Sequence, residues 1–313
     1  MVRAVILDTD PGQDDAVALF LALASPEIAL KGVCAVAGNV PLRLTEANAR
    51  RLLTVANRTD VPVFAGCERP LVKALQTAEE VHGASGLDGY DFPEAACVVQ
   101  DQHAVDFITK TCLVAADGEI TIVAVGPLTN VAVAIARHRA IVPKIREIVV
   151  MGGARFVAGN TSPGAEFNIA TDPTAARIVF ESGAPIVAFP LDVTHQVLTT
   201  PERLARLEAI GNPVTDCVCG MLRFYNRYDE RAFSMPGGPL HDPCTIAWLI
   251  DPSLFEARRC HVRVIDDGGP LDGFTNVDWW HKDQRSPNCD WIHTANAAGF
   301  YDLLCDRLAR FSC

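Results

Sequence analysis

Short apolar runs alternate with helical patterns through the first two-thirds of this chain, and that alternation admits few folds. The strand-like runs are Val2–Leu7, Leu30–Ala37, Val61–Ala65, Ile120–Val125, Glu147–Met151 and Pro185–Phe189. Between them the patterns predict helices over Asp14–Leu23, Leu44–Ala56, Ala104–Ala115, Leu128–Ala136 and Pro173–Phe180. The strand runs are continuously apolar, as strands covered on both faces are. Such a series predicts an α/β fold with an open, mostly parallel central sheet and helices on both faces, Rossmann-like in plan. Residues 196–250 read as helical additions. Arg258–Val264 and Asn276–Trp280 return to strand patterns, and Ala295–Phe311 reads as a closing helix. No repeat, low-complexity stretch or linker interrupts the chain, so 1–313 is expected to be a single domain.

Charge removes several classes of partner. The chain has 27 basic and 38 acidic side chains, a net charge of −11, and no basic run. Nucleic acid and anionic membranes are therefore not expected partners. No secretory leader and no apolar run of membrane-spanning length is visible, which predicts a cytoplasmic protein. The 11 cysteines lie between Cys34 and Cys313 without zinc-site spacing. In that compartment they are expected to be reduced, small buried hydrophobes.

In open parallel sheets, ligands bind outside the carboxyl ends of the strands. Asp8 and Asp10 follow the first strand, Asn39 the second, Gly126-Pro127 the fourth, Met151-Gly152-Gly153 the fifth and Asp192 the sixth. The first of these turns is the most charged, Asp8-Thr9-Asp10-Pro11-Gly12-Gln13-Asp14-Asp15. Like charges this close favour protonation unless a cation or hydrogen-bond donors compensate. A hard divalent cation with oxygen ligands, Mg²⁺ or Ca²⁺, meets that need. Two other readings of the turn exist. One acid can cap the following helix while another closes an Asx-turn. The Asp8-Thr9-Asp10 triplet also fits the start of haloacid-dehalogenase-like phosphatases, although Gly12 departs from their pattern.

Other polar loops add to this. Gly159 to Asn168 holds Asn160, Glu166 and Asn168, a mixture of acceptors and donors that suits a polyol. His82–Gly89 and Gly152–Gly164 are long Gly-containing loops of the kind that cover active sites. His241-Asp242-Pro243 precedes an apolar helix; Asp242 can be its N-cap, and His241 is a candidate proton donor near neutral pH. Phe224, Tyr228 and Arg231 share one face of a helix expected to overhang the pocket.

Together these segments resemble the nucleoside hydrolases of the inosine-uridine-preferring (nucleoside N-ribohydrolase) type. The motifs are Asp8 to Asp15, Ala37-Gly38-Asn39-Val40, His82-Gly83-Ala84-Ser85-Gly86-Leu87 and Gly126-Pro127-Leu128-Thr129-Asn130. Met151-Gly152-Gly153, Gly159 to Asn168, Asp192-Val193-Thr194-His195 and His241-Asp242-Pro243 follow in the family's order. Beyond residue 250 the resemblance is less distinctive.

The resemblance implies a Ca²⁺ ion held by Asp10, Asp15, Asp242 and the main-chain carbonyl of Val125. It implies that the ion orients the attacking water and the ribose 2′- and 3′-hydroxyls, with Asp10 as general base. Asp14, Asn39, Asn160, Glu166 and Asn168 match ribose-binding positions, and Met151 one packed near the sugar. His241 matches the acid that assists the leaving base, and His82 lies in the loop that covers it. Tyr228 and Arg231 are candidates for touching the base; core packing with a solvated arginine is the alternative. His195 and Asp8 are expected to support the site without touching substrate. The implied substrate is a ribonucleoside of inosine, uridine or cytidine type, and the implied assembly a homodimer or homotetramer. A non-catalytic nucleoside or ribose binder and a hydrolase of an unusual ribosyl compound are the competing readings.

Overall fold

The first apolar run becomes a strand whose side chains are buried on both sides. Val5 and Leu7 enter one hydrophobic cluster while Ile6 enters another. The same division is repeated in the neighbours: Val123 goes with the first cluster, Ile122 and Ala124 with the second. A sheet with two buried faces results, as its uninterrupted hydrophobicity requires. The computed structural model describes residues 2–233 and 235–311, with Asp229 and Phe233 described by their backbone alone.

Among these residues the strands are β1 (Arg3–Thr9), β2 (Ile28–Ala35), β3 (Val63–Ala65), β4 (Val99–Gln100) and β5 (Ile120–Ala124). They continue as β6 (Ile145–Met151), β7 (Ile186–Phe189), β8 (Phe255–Val264), β9 (Thr275–Asp278) and β10 (Cys289–Ala295). All belong to one sheet of order β4-β3-β2-β1-β5-β6-β7-β10-β8-β9. Every pairing from β4 across to β10 is parallel; β10–β8 and β8–β9 are antiparallel. The expected α/β architecture is the one observed.

The chain leaves β1 toward β2 on one side and later returns to β5 on the other. That reversal opens a crevice at the carboxyl ends of β1 and β5. The helix Gln13–Leu23 starts there and is buried from Gln13 through Ala22. Its near-uniform hydrophobicity has a simple cause. It lies beneath the helices Pro213–Phe233, Pro243–Ile250 and Ala297–Leu308 and has little surface to solvate.

Most predicted elements recur with ends shifted by one to three residues, and Pro173–Phe180 matches as read. Residues 196–250 are largely helical, as read: the helices Pro201–Glu208, Pro213–Phe233 and Pro243–Ile250 lie there, joined by loops. The closing helix is shorter than Ala295–Phe311. It spans Ala297–Leu308, capped by the Asn296 side chain, which accepts from Gly299 N at 3.0 Å. Ala295 ends β10, a strand absent from the sequence reading because Asp290, His293 and Thr294 interrupt its hydrophobicity. β4 was also unread: two exposed residues leave no periodic signal. The described cysteines are free and mostly buried, and Cys313 lies outside the described residues.

Candidate active site

The opening turn is shaped by its own backbone and hydroxyl donors. Gly12 N donates to Asp15 Oδ2 at 2.9 Å, and the Thr9 hydroxyl donates to Asp15 Oδ1. Asn39, arriving after β2, donates from its main-chain nitrogen to Asp10 Oδ2 at 2.7 Å. Its Nδ2 donates to the Asp10 carbonyl at 3.0 Å and to Asp15 Oδ2 at 3.3 Å. Asp10 is wedged between two glycines. A Cβ on Gly38 would lie 2.0 Å from Asp10 Oδ2, and one on Gly126 would lie 2.5 Å from Oδ1. Close approach of this carboxylate to the backbone is what requires glycine at both positions.

The helix that starts at Pro243 brings Asp242 to the same place. Asp14, Asp15 and Asp242 are all buried, and one carboxylate oxygen from each lies within 4.8 Å of the others. Burial, foremost, and the neighbouring carboxylates hold Asp10 and Asp242 well above the usual range. Burial also raises Asp15, against the pull of its Thr9 and Gly12 donors. Asp10 Oδ1 is buried with no hydrogen-bond partner among the described residues. An oxygen-only cluster with excess negative charge and an orphaned carboxylate oxygen fits a hard divalent cation. The oxygens brought closest together include Asp14 rather than Asp10. Asp10 interacts electrostatically with Asp14 and Asp15 but does not line the cavity.

That cavity has a volume of ≈ 300 Å³. Asp14, Asp15, Asn39, His82, Val125, Met151, Asn160, Glu166, Asn168, Tyr228, His241 and Asp242 all border it, as do His195, Tyr225, Gln76 and Thr77. Arg231 borders a neighbouring groove instead, with Phe224 and Arg227. The face shared by positions 224, 228 and 231 exists, but it looks into that groove, and of these three residues Tyr228 is the one that also borders the cavity. Tyr225, one residue round the helix from Phe224, borders the cavity although it lies off the face shared by 224, 228 and 231. Gln76 and Thr77 lie in irregular chain and gave no periodic signal.

The ribose-side candidates are tied to the sheet ends. Asn168 Nδ2 donates to the Val125 carbonyl at 2.9 Å and the Met151 carbonyl at 3.2 Å, bridging β5 and β6. Glu166 caps the helix Phe167–Thr171, accepting from Asn168 N at 2.8 Å and from Gly153 N and Ile169 N at 3.1 Å. Burial outweighs these bonds and raises its carboxyl to about 7. Asn160 Oδ1 accepts from Phe167 N at 2.9 Å. Asp192 accepts from Arg155 N at 2.9 Å, from Val157 N at 3.2 Å and from Phe156 N, and so anchors the Gly152–Gly164 loop.

At the other end, His241 Nδ1 lies 2.7 Å from Thr194 Oγ1, and its ring centroid 5.7 Å from that of His195. Burial, then the charges of His195 and His82, hold His241 well below its ordinary value. His82 Nδ1 lies 2.7 Å from Gln13 Oε1, and burial lowers this histidine to about 3. Both rings are therefore neutral near pH 7. Asp8 lies behind the site, accepting from Asn130 Nδ2 at 2.9 Å; burial raises it to about 7.

A family model described as inosine-uridine preferring nucleoside hydrolase matches residues 5–302. The chain is 46% identical over 310 residues to the pyrimidine-specific ribonucleoside hydrolase RihA of Escherichia coli, covering 98% of this chain and 99% of that one. It is 44% identical over 306 residues to an uncharacterised Schizosaccharomyces pombe protein, again covering 98% and 99%. Among solved structures, a plant nucleoside hydrolase superposes with a TM-score of 0.92 at 35% identity, covering 99% and 100% of the two chains. A purine-preferring ribonucleoside hydrolase from Gardnerella vaginalis gives 0.92 at 29% identity and 98% coverage of each.

Proposed function

The chain belongs to the inosine-uridine preferring nucleoside hydrolase family, and we propose that it hydrolyses the N-glycosidic bond of inosine-, uridine- or cytidine-type ribonucleosides with Ca²⁺ in the acidic cluster. The observation that carries this reading is the convergence of Asp14, Asp15 and Asp242 with His241 on one cavity. Asp10, Asp15, Asp242 and the Val125 carbonyl are the proposed ligands. Bound there, the ion supplies a fixed positive charge for the ribose 2′- and 3′-hydroxyls and makes a water more acidic.

The residues then divide the work. Asp10 takes the proton of the attacking water, with Oδ1 as its free acceptor. As the bond to C1′ lengthens, positive charge builds on the ribosyl group. Glu166, with Asn39, Asn160, Asn168 and Asp14, holds the sugar and stabilises that charge, while Met151 packs beside it. His241 faces the negative charge that develops on the departing base. His82 and Tyr228 border the base, and Arg231 contacts only a base substituent long enough to reach the neighbouring groove.

The site and its supports occupy one catalytic domain spanning 1–313. Among the described residues no helix is long and apolar enough to cross a membrane. We place the enzyme in the cytoplasm as a homodimer or homotetramer. The test is ribose release from inosine, uridine, cytidine and adenosine, each with calcium and with chelator. Release of reducing sugar that chelator abolishes and calcium restores is expected. No release from any nucleoside with calcium present sinks the proposal.

A further inference from the structure

Two histidines at the base end of the cavity have their Nδ1 atoms tied to partners of opposite character. His82 Nδ1 meets Gln13 Oε1 at 2.7 Å; His241 Nδ1 meets Thr194 Oγ1 at 2.7 Å. The orientation of the Gln13 amide follows from its other bonds. Its Nε2 donates to the carbonyls of His82 at 3.0 Å and Asp88 at 3.1 Å. Oε1 is therefore the atom that faces the imidazole, and an amide oxygen only accepts. Nδ1 of His82 must carry the hydrogen, which leaves Nε2 as a bare lone pair.

Thr194 imposes the reverse. It is fully buried at the end of the short helix Leu191–Thr194. Among the described residues, His241 Nδ1 is the one hydrogen-bond partner seen for its hydroxyl. A buried hydroxyl hydrogen without an acceptor costs about 1–3 kcal/mol. The O–H therefore donates to Nδ1, and the hydrogen of this ring sits on Nε2. Each neutral ring carries one N–H, so the partner on one nitrogen fixes the state of the other.

We propose that Thr194 and Gln13 are positioning residues that set His241 and His82 in opposite tautomers, so that the cavity offers the base one imidazole N–H and one imidazole lone pair. The inference rests on the reading of His241 as the group that faces the leaving base. It explains how a neutral histidine assists departure. The Nε2–H stabilises charge developing on a base oxygen or nitrogen, while the His82 lone pair receives an N–H of the same base. If His241 took the other tautomer, its lone pair would repel the charge it has to stabilise.

The experiment reads tautomers directly. Two-bond ¹⁵N–¹H correlation spectra of the full chain are recorded, with the two rings assigned from His82→Gln and His241→Gln. We expect Nε2–H for His241 and Nδ1–H for His82. Thr194→Val should release the His241 tautomer and lower kcat on uridine about 10-fold or more, with KM little changed. On p-nitrophenyl riboside, whose leaving group needs no assistance, the same variant should lose less than about 2-fold. Thr194→Ser should restore both tautomer and rate. An Nδ1–H signal for His241 in the wild type overturns the inference. So do equal losses on the two substrates, or a serine variant that behaves like valine. The spectra decide this point even if no nucleoside is cleaved, an outcome that would instead overturn the proposed activity.

Discussion

Asp15 and Asp242 come from distant parts of the chain, yet both are buried and a carboxylate oxygen of one lies within 4.8 Å of one on the other. Buried acids this close resist being charged together when no cation is present. The arrangement works against folding and for ligand binding.

Replacing Asp242 should separate those two effects. Asp242→Asn removes one charge from the cluster but keeps the shape. Chelator-treated variant is expected to be more stable than chelator-treated wild type, by about 1–2 kcal/mol, as relief of like-charge burial predicts. Calcium binding by calorimetry and turnover should both be lost. A variant that melts lower than wild type in chelator would show that the carboxylate stabilises the fold, contrary to this account.

Calcium should act on stability by mass action. A ligand that binds only the folded state adds about 2.7 kcal/mol at one hundred times its dissociation constant. Thermal melts over a calcium series should rise logarithmically, and Asp15→Ala should flatten the series. Equal slopes for wild type and Asp15→Ala would move the ion elsewhere.

Much of this site is legible in the sequence because the chemistry is concentrated. Asp8 to Asp15 lie between an apolar strand and an apolar helix, and such a junction can only point out of a parallel sheet at its carboxyl edge. His241-Asp242-Pro243 is legible for the same reason, as a polar step at the start of a buried helix. What sequence alone does not reveal is which face of a long helix meets the cavity. Tyr225 and Tyr228 border it while Phe224 and Arg227 border the next groove, a distinction set by helix placement rather than periodicity. Gln13 and Thr194 were visible in motifs but had no role, because their partners His82 and His241 are brought up by tertiary structure. β10 is not legible because Asp290, His293 and Thr294 interrupt its hydrophobicity, although its place between β7 and β8 leaves Trp291 and Ile292 buried.

Glu166 gives a pH signature. Its carboxyl lies at about 7 in the folded chain against an ordinary 4.5. A raised acid is protonated below that value, so its contribution to stability is full below the ordinary value and lost as pH rises through about 7. The role in catalysis proposed for it runs the other way, because only the carboxylate would stabilise a cationic ribosyl group. kcat/KM is expected to climb with pH through this region, with the limb displaced downward when a cation is nearby. Glu166→Gln should abolish that limb. It should also cost about 1–3 kcal/mol, since both carboxylate oxygens accept from backbone N–H groups and in either orientation the new NH₂ would face a donor, Asn168 N or the pair Gly153 N and Ile169 N. An unchanged acidic limb in the variant assigns it to another group.

Asn168 reaches the Val125 carbonyl, and that contact is testable apart from the carboxylates. With Nδ2 bonded to Val125 O and Met151 O, the side chain holds two strand ends in register and aims the carbonyl. Asn168→Ala leaves every proposed metal ligand in place. Supporting contacts of this kind are worth about 10- to 100-fold in metal affinity. A calcium titration of the variant should show a loss of that size. An unaltered affinity would show that the carbonyl needs no such support, or is not a ligand.

Asp10 lies beside the acidic cluster without bordering the cavity. Its position depends on the absence of side chains at Gly38 and Gly126, whose Cβ atoms would fall 2.0 Å and 2.5 Å from its two oxygens. Gly126→Ala must therefore displace the carboxylate without changing its charge. Overpacking of this type costs about 1–3 kcal/mol, so the variant should fold. Asp10→Asn keeps the shape and removes the base. If Asp10 takes the proton from water, both variants should lose nearly all turnover, about 100-fold or more, for two different reasons. Circular dichroism and melting temperature should stay near wild type for Asp10→Asn. Near-native kcat in either variant would remove Asp10 from the base role and leave Asp14, which lines the cavity with Asp15 and Asp242, as the carboxylate to test in its place.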